Sequence, residues 1–185
     1  AQGLQESKSG RLCLYGPPGT GKTAYARWLA EKLDAPLHIK RASDLMSKWV
    51  GENEQNVAAA FAQAQEAQAI LLIDEVDSFL QDRRGATRSY ESRLVNEMLT
   101  QMESLSGIFI ASTNLMSNID QAALRRFDLK VKLDFLRPGQ AQALLIKHCE
   151  VLKLPTPSPA DLAQIARISN LTPGDFAAVT RQSHF

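Results

Sequence analysis

Eight residues, Gly16-Pro17-Pro18-Gly19-Thr20-Gly21-Lys22-Thr23, restrict what this chain can fold into more than any other stretch of it. They spell G-x-x-x-x-G-K-[ST], a glycine-rich loop whose backbone N–H groups turn inward around phosphate oxygens. The flanks agree. Arg11 to Tyr15 is a short apolar-rich strand candidate, and from Ala24 to Leu33 apolar residues recur at 25, 26, 29, 30 and 33, the period of a helix. A strand–loop–helix unit adds the positive end of the helix dipole to the same cradle. Lys22 would reach the β- and γ-phosphates, and the Thr23 hydroxyl would take a place on a magnesium ion. Average residue usage yields the eight-residue pattern by accident in on the order of 1% of chains this long, which makes a solvated glycine turn the weaker reading.

A second element supplies acid. Ile70 to Ile73 is a continuous apolar run, as expected of a parallel strand covered on both faces, and it ends in Asp74 and Glu75. Neighbouring side chains at a strand end point to opposite sides, so the two carboxylates can do different work. Asp74 fits the magnesium shell beside Thr23, and Glu75 fits the orientation and activation of an attacking water. A carboxylate pair alone is more often a solvated strand end; the phosphate loop earlier in the same α/β pattern reverses that preference.

Composition excludes some classes. At 185 residues, 44% hydrophobic and 22% charged, the chain can bury a real core, and one domain with a small appendage is the natural expectation. Lys and Arg total 21 against 20 Asp and Glu, a net charge of +1, so no whole-chain attraction to nucleic acid or an anionic membrane exists. No apolar run approaches the ~20 residues that span a bilayer, and no signal-peptide pattern opens the chain. Cys13 and Cys149 lie far apart, which suits a reducing compartment, and the cytoplasm is the expected location. The polar opening AQGLQESKSG does not resemble a natural N-terminus, so the chain reads as a piece of a longer protein.

GPPGTGKT followed by ILLIDEVD resembles the ATPase domain of the AAA family, within the AAA+ superfamily of ring-forming ATPases, and the resemblance covers nearly the whole chain. It implies an α/β P-loop NTPase fold, a three-layer domain with a parallel five-stranded sheet over residues 1–136. A small all-helical lid over 137–185, incomplete at its C-terminal end, would follow. It further implies ATP and Mg²⁺ as ligands, ATP hydrolysis, and self-assembly into a ring, a hexamer, that remodels, unfolds or translocates a protein substrate. Residues Gly16 to Ala24 would then hold the nucleotide, with Thr23 and Asp74 on the metal and Glu75 on the water. SRLVNEMLTQMESL is similar to the family's next helix, with Leu94, Val95, Met98, Leu99, Met102 and Leu105 on helical spacing. GIFIASTN resembles the fourth strand and its polar sensor, which makes Asn114 the side chain between the γ-phosphate and the water. A lone Asn after a strand is otherwise a turn residue.

Three further segments take their meaning from the same resemblance. SKWVGENEQ is similar to the family's pore loop, so Trp49, Val50 and Gly51 would face a central channel and grip an extended polypeptide, with Trp where most members carry Tyr or Phe. A flat apolar ring holds many side chains without reading sequence. The competing reading packs Trp49 against a neighbouring subunit or another domain. In NIDQAALRRFDLKVKLDF, Arg125 and Arg126 match the arginine fingers that a neighbour supplies in trans. The frequent family form, RPGRFDR, is longer; here Arg126 runs straight into Phe127 and Asp128, and Leu129 replaces an arginine, which is closer to the branch containing katanin and spastin. Which arginine reaches the phosphate stays open.

From Pro138 onward only helical patterns remain. Ala141, Leu144, Leu145, His148, Val151 and Leu152 form one stripe, Ser158-Pro159 opens a second helix, and Thr172-Pro173 with Asp175 opens a third. His148 matches the family's lid histidine near the base and ribose, although a His on a helical stripe is also an ordinary core residue. Gly174 and Asp175 match the family's GAD in part, with Pro173 in place of its glycine. Arg83, Arg84, Arg88 and Arg93 stand among Asp82 and Glu91 where the family places its second pore loop; they could favour an acidic substrate tail or nucleic acid, but a short mixed-charge loop is more simply solvated. Two alternatives remain at this point: an AAA+ machine acting on nucleic acid, and a nucleotide-gated scaffold with little turnover. No H-E-x-x-H pattern is present, so the chain carries no such zinc protease site.

Overall fold

Leu12, Cys13 and Leu14, each at 1% exposure or less, put strand β1 (Gly10–Tyr15) inside a sheet covered on both faces. The computed structural model describes residues 9–46, 52–78 and 89–183. After β1 come helix α1 (Lys22–Leu33), strand β2 (Leu37–Arg41), the single turn α2 (Ala42–Leu45) and helix α3 (Glu52–Glu66). Strand β3 (Ile70–Asp74), a 3₁₀ turn at Val76–Ser78, helix α4 (Ser89–Ser104) and strand β4 (Ile108–Thr113) follow. A 3₁₀ turn at Met116–Asn118, the short helix α5 (Gln121–Leu124) and strand β5 (Leu129–Lys132) complete this part. The last three helices are α6 (Pro138–Val151), α7 (Pro159–Ile165) and α8 (Pro173–Gln182).

The five strands form one sheet in the order β2-β3-β4-β1-β5, and every pairing is parallel. This is the five-stranded parallel sheet of a P-loop α/β domain, as expected. Parallel neighbours require crossover helices, which is why helices lie between successive strands. Register decides what meets at the strand ends: Tyr15 stands opposite Thr113, and Ile73 opposite Ala111, so Asp74 ends beside Ser112. The polar residues therefore collect at the carboxyl ends of β1, β3 and β4, where open α/β sheets place their ligand crevice.

The core behind that edge is aromatic and aliphatic. Phe61 of α3 meets Phe109 of β4 with ring centroids 5.2 Å apart, and Phe109 stacks on Phe127 at 6.1 Å. Such pairs add about 0.5–1.5 kcal/mol beyond the area they bury. Leu94, Val95, Met98, Leu99, Met102 and Leu105, the stripe on helical spacing, are all buried in α4 and just beyond it.

The chain divides into two compact units, one running to Gly16 and again over Lys22–Lys132, the other made of Pro17–Gly21 and residues 133 onward. In the second, all three helices begin with proline, whose missing N–H and fixed φ suit the first helical position. The Ser158 hydroxyl accepts from Asp161 N–H at 3.2 Å, and the Asp175 carboxylate accepts both the Thr172 N–H and the Thr172 hydroxyl at 2.8 Å. The stripe expected on α6 is only partly apolar-buried: Ala141 is buried, Leu144, Leu145, His148 and Leu152 are intermediate, and Val151 is 64% exposed. Val151 lies in the last turn, just before Lys153 adopts φ 54° and turns the chain away, so nothing in this short helix group closes over it.

Candidate functional site

Lys22 is the hinge of the first group. It opens α1, is buried, and its Nζ donates to the carbonyl of Gly16 at 2.8 Å. Burial pushes the Lys22 pKa down, and the negative charges of Asp74 and Asp77 offset part of that shift. Gly16 N–H donates to the Thr113 carbonyl at 3.3 Å, fixing the start of the loop to the end of β4. Ala24 sits exposed in the first turn of α1, beside Thr23.

Thr23 and Asp74 come together as the sequence expects. The Thr23 hydroxyl donates to Asp74 Oδ2 at 3.1 Å, while Asp74 Oδ1 accepts from the Ser112 hydroxyl and from Glu75 N–H at 3.0 Å. One hydroxyl and one carboxylate oxygen side by side are hard donors of the kind magnesium uses when it keeps several waters and takes the rest of its shell from substrate phosphate. Among the described residues no cluster of three or more His, Cys, Asp and Glu could hold a metal by itself. The donor set thus fits Mg²⁺ held jointly with a nucleotide, with Thr23 and Asp74 as the residues that would bear it.

Glu75 is exposed and adopts φ 59°, the left-handed region that a residue with a Cβ enters only at a cost of about 1 kcal/mol or more. Glu75 thus breaks the extended backbone directly after β3. Asn114 lies one residue past β4, and its backbone N–H donates to the Asp77 carboxyl.

In the second unit the loop tip and the last helix share one packed contact. Gly19 takes φ 78°, the Thr20 hydroxyl donates to the Pro17 carbonyl at 2.8 Å, and Gly174 N–H donates to the Gly19 carbonyl at 2.9 Å. A Cβ on Gly174 would stand 2.9 Å from Gly19 Cα and 3.1 Å from its carbonyl oxygen, both backbone atoms that cannot swing aside. Gly174→Ala is therefore expected to destabilise this unit by about 1–3 kcal/mol, as overpacking does. Helix propensity alone predicts the opposite sign, with Ala favoured over Gly by ~1 kcal/mol. Thermal melting separates the two: a variant that melts at or above the parent temperature removes the close contact from the account.

His148 is packed within the helical unit. Its Nδ1 lies 2.7 Å from Thr180 Oγ1, and its ring centroid is 5.5 Å from that of Phe176. The single Thr180 hydroxyl proton goes to the Phe176 carbonyl at 3.0 Å, so Nδ1 is the donor of the His–Thr bond. Arg125 caps α5 and is exposed, whereas Arg126 donates through Nε to Glu103 Oε1 at 2.5 Å and through Nη1 to the Ala122 carbonyl at 3.1 Å. Phe127, 3% exposed, anchors the pair to the core. Trp49, Val50 and Gly51, and the arginine-rich loop as far as Arg88, lie outside the described residues.

Sequence reading gave no role to Asp77, Ser112 or Thr113. The signal was present as a third acid in ILLIDEVD and two hydroxyls at the end of IAST, but only the register shows that they meet.

The family model described as "ATPase family associated with various cellular activities (AAA)" matches residues 12–135. The chain belongs to the AAA family of ATPases. Over 181 residues, 93% of the chain, this AAA domain is 38% identical to spastin of Drosophila virilis, of which it covers 23%. Spastins of Drosophila mojavensis and Drosophila persimilis are each 37% identical over 180 residues, with 23% and 22% of their lengths covered. The chain thus spans under a quarter of these relatives. It is a nucleotide-binding ATPase domain, and no helix among its described residues is long and apolar enough to cross a membrane.

Proposed function

We propose that this AAA domain is a magnesium-dependent ATP-hydrolysing motor that works as a ring, a hexamer, and remodels, unfolds or translocates a protein substrate. The observation that supports the reading is the Thr23–Asp74 contact, because it brings a hydroxyl and a carboxylate suited to a metal together from segments far apart in the chain. Gly16 to Thr23 cradle the phosphates, and Thr23 and Asp74 bear the Mg²⁺, which supplies charge neutralisation on the phosphate oxygens. Glu75 accepts a proton from water as the water oxygen forms a bond to the γ-phosphorus; the bond to the β–γ bridging oxygen breaks, and ADP and inorganic phosphate leave. Asn114 orients that water. Arg125 and Arg126 would serve the neighbouring subunit, Trp49, Val50 and Gly51 the polypeptide, and His148 and Gly174 the base and ribose side of the nucleotide. The helical lid is taken to begin after residue 136. Two free thiols, one of them buried, support a reducing, cytoplasmic setting.

The test is steady-state ATP hydrolysis per subunit over a wide range of protein concentration. Specific activity is expected to climb steeply with concentration, as sites become complete only when a neighbour arrives. Activity flat with concentration, and surviving loss of both Arg125 and Arg126, would remove the ring from the account.

A further inference from the structure

Asp77 stands on the 3₁₀ turn Val76–Ser78, two residues past Glu75. Val76 is fully buried and pins the turn to the core. The Asp77 carboxyl accepts the hydroxyl of Thr113 and the backbone N–H of Asn114. Thr113 is 1% exposed, and its oxygen in turn accepts Leu115 N–H at 2.9 Å. Backbone pairing between β3 and β4 ends at Ile73 with Ala111. Past that point side chains join the two strand ends, Ser112 to Asp74 and Thr113 to Asp77. The segment carrying Asn114 is thus held on this side by one carboxylate. Burial pushes that carboxyl up from its ordinary pKa, the Asn114 N–H draws it back down, and the charge of Glu75 raises it again, so an acid is kept here against desolvation.

We propose that Asp77 is a positioning residue for ATP hydrolysis, whose bonds to Thr113 and Asn114 fix the backbone that carries the Asn114 side chain relative to Glu75. This rests on the reading of Glu75 and Asn114 as the pair that handles water. Removing the carboxylate leaves a buried hydroxyl and an N–H without their acceptor, and the segment shifts to find others. A displacement of about 1 Å at a reacting geometry costs roughly 10²-fold in rate.

The experiment compares kcat, dissociation constant for a fluorescent ATP analogue, and melting temperature of the intact chain and its variants. Asp77→Ala is expected to lose roughly 10- to 100-fold in kcat with nucleotide affinity within ~3-fold, because the Thr23–Asp74 contact and the Lys22–Gly16 bond do not run through its carboxylate. Thr113→Val falls in the same direction, and Thr113→Ser, which keeps the hydroxyl, recovers the loss. In an Asn114→Ala background, removing Asp77 costs less than ~2-fold more, since residues acting as one unit are not additive. If Asp77→Ala melts below the assay temperature, Asp77→Asn replaces it with the same expectations, offering one acceptor for two donors. Wild-type kcat in a folded Asp77 variant, or a full additional loss on top of Asn114→Ala, overturns the positioning role. Wild-type turnover in Asn114→Ala itself overturns the underlying site reading too, which separates the two failures.

Discussion

Replacing Arg125 and Arg126 together by alanine is expected to lower ATP turnover by roughly 10³- to 10⁵-fold while nucleotide affinity changes little, the range seen when an arginine finger is withdrawn. The effect is confined to turnover because a finger meets negative charge that spreads over the transferring phosphoryl group only in the transition state. The two arginines should not share it equally. Arg126 is engaged within its own chain by Glu103 and by the Ala122 carbonyl, whereas Arg125 is exposed at the end of a four-residue helix locked by its Asp120 cap. The Glu103 pair is half-exposed and contributes no more than about 1 kcal/mol, so it biases Arg126 without immobilising it. Arg125→Ala should therefore be the more damaging single change. Mixing the double variant with Glu75→Gln chains supplies intact arginines beside an intact Glu75, and turnover should partly return. No recovery in the mixture, with both variants folded and binding nucleotide, would mean the arginines act within their own subunit.

Glu75→Gln is expected to retain ATP binding and lose hydrolysis by roughly 10²- to 10⁴-fold, the span of general base catalysis. The substitution keeps the volume and the strained φ of 59°, and changes only whether the side chain can accept a proton from water. Lys22 bonds to the Gly16 carbonyl and Thr23 to Asp74, and both contacts are kept in the variant, so affinity should stay within a few-fold. Equilibrium binding of a fluorescent nucleotide, followed by single-turnover hydrolysis on the same preparation, measures both halves. Normal single-turnover rates in this variant would exclude Glu75 as the base and leave the nucleotide-gated scaffold or a different base to consider.

Much of the site was legible because its parts are local. The phosphate loop, Asp74 at the end of an apolar run and Asn114 at the end of another each carry their signal within a few neighbouring residues. The helix starts at Ser158 and Thr172 were equally readable, since capping acts over three or four positions. The α6 stripe marks a limit: periodicity reports which residues share a face, and whether that face is covered depends on partners that a short three-helix group supplies only in part, so Val151 is left in solvent.

The family to which the chain belongs, and the local patterns that nominate a phosphate loop, a Thr and Asp for a metal and an acid for water, were determined by the sequence alone. Only the tertiary structure decided which of the remaining polar groups meet. Asp77 and Thr113 lie 36 positions apart, and no local pattern pairs them. The same is true of Arg126 with Glu103 and of Gly174 with Gly19. Those pairings depend on strand register and on which backbones approach closely, and both are properties of the packed sheet and helices that short-range residue preferences do not encode.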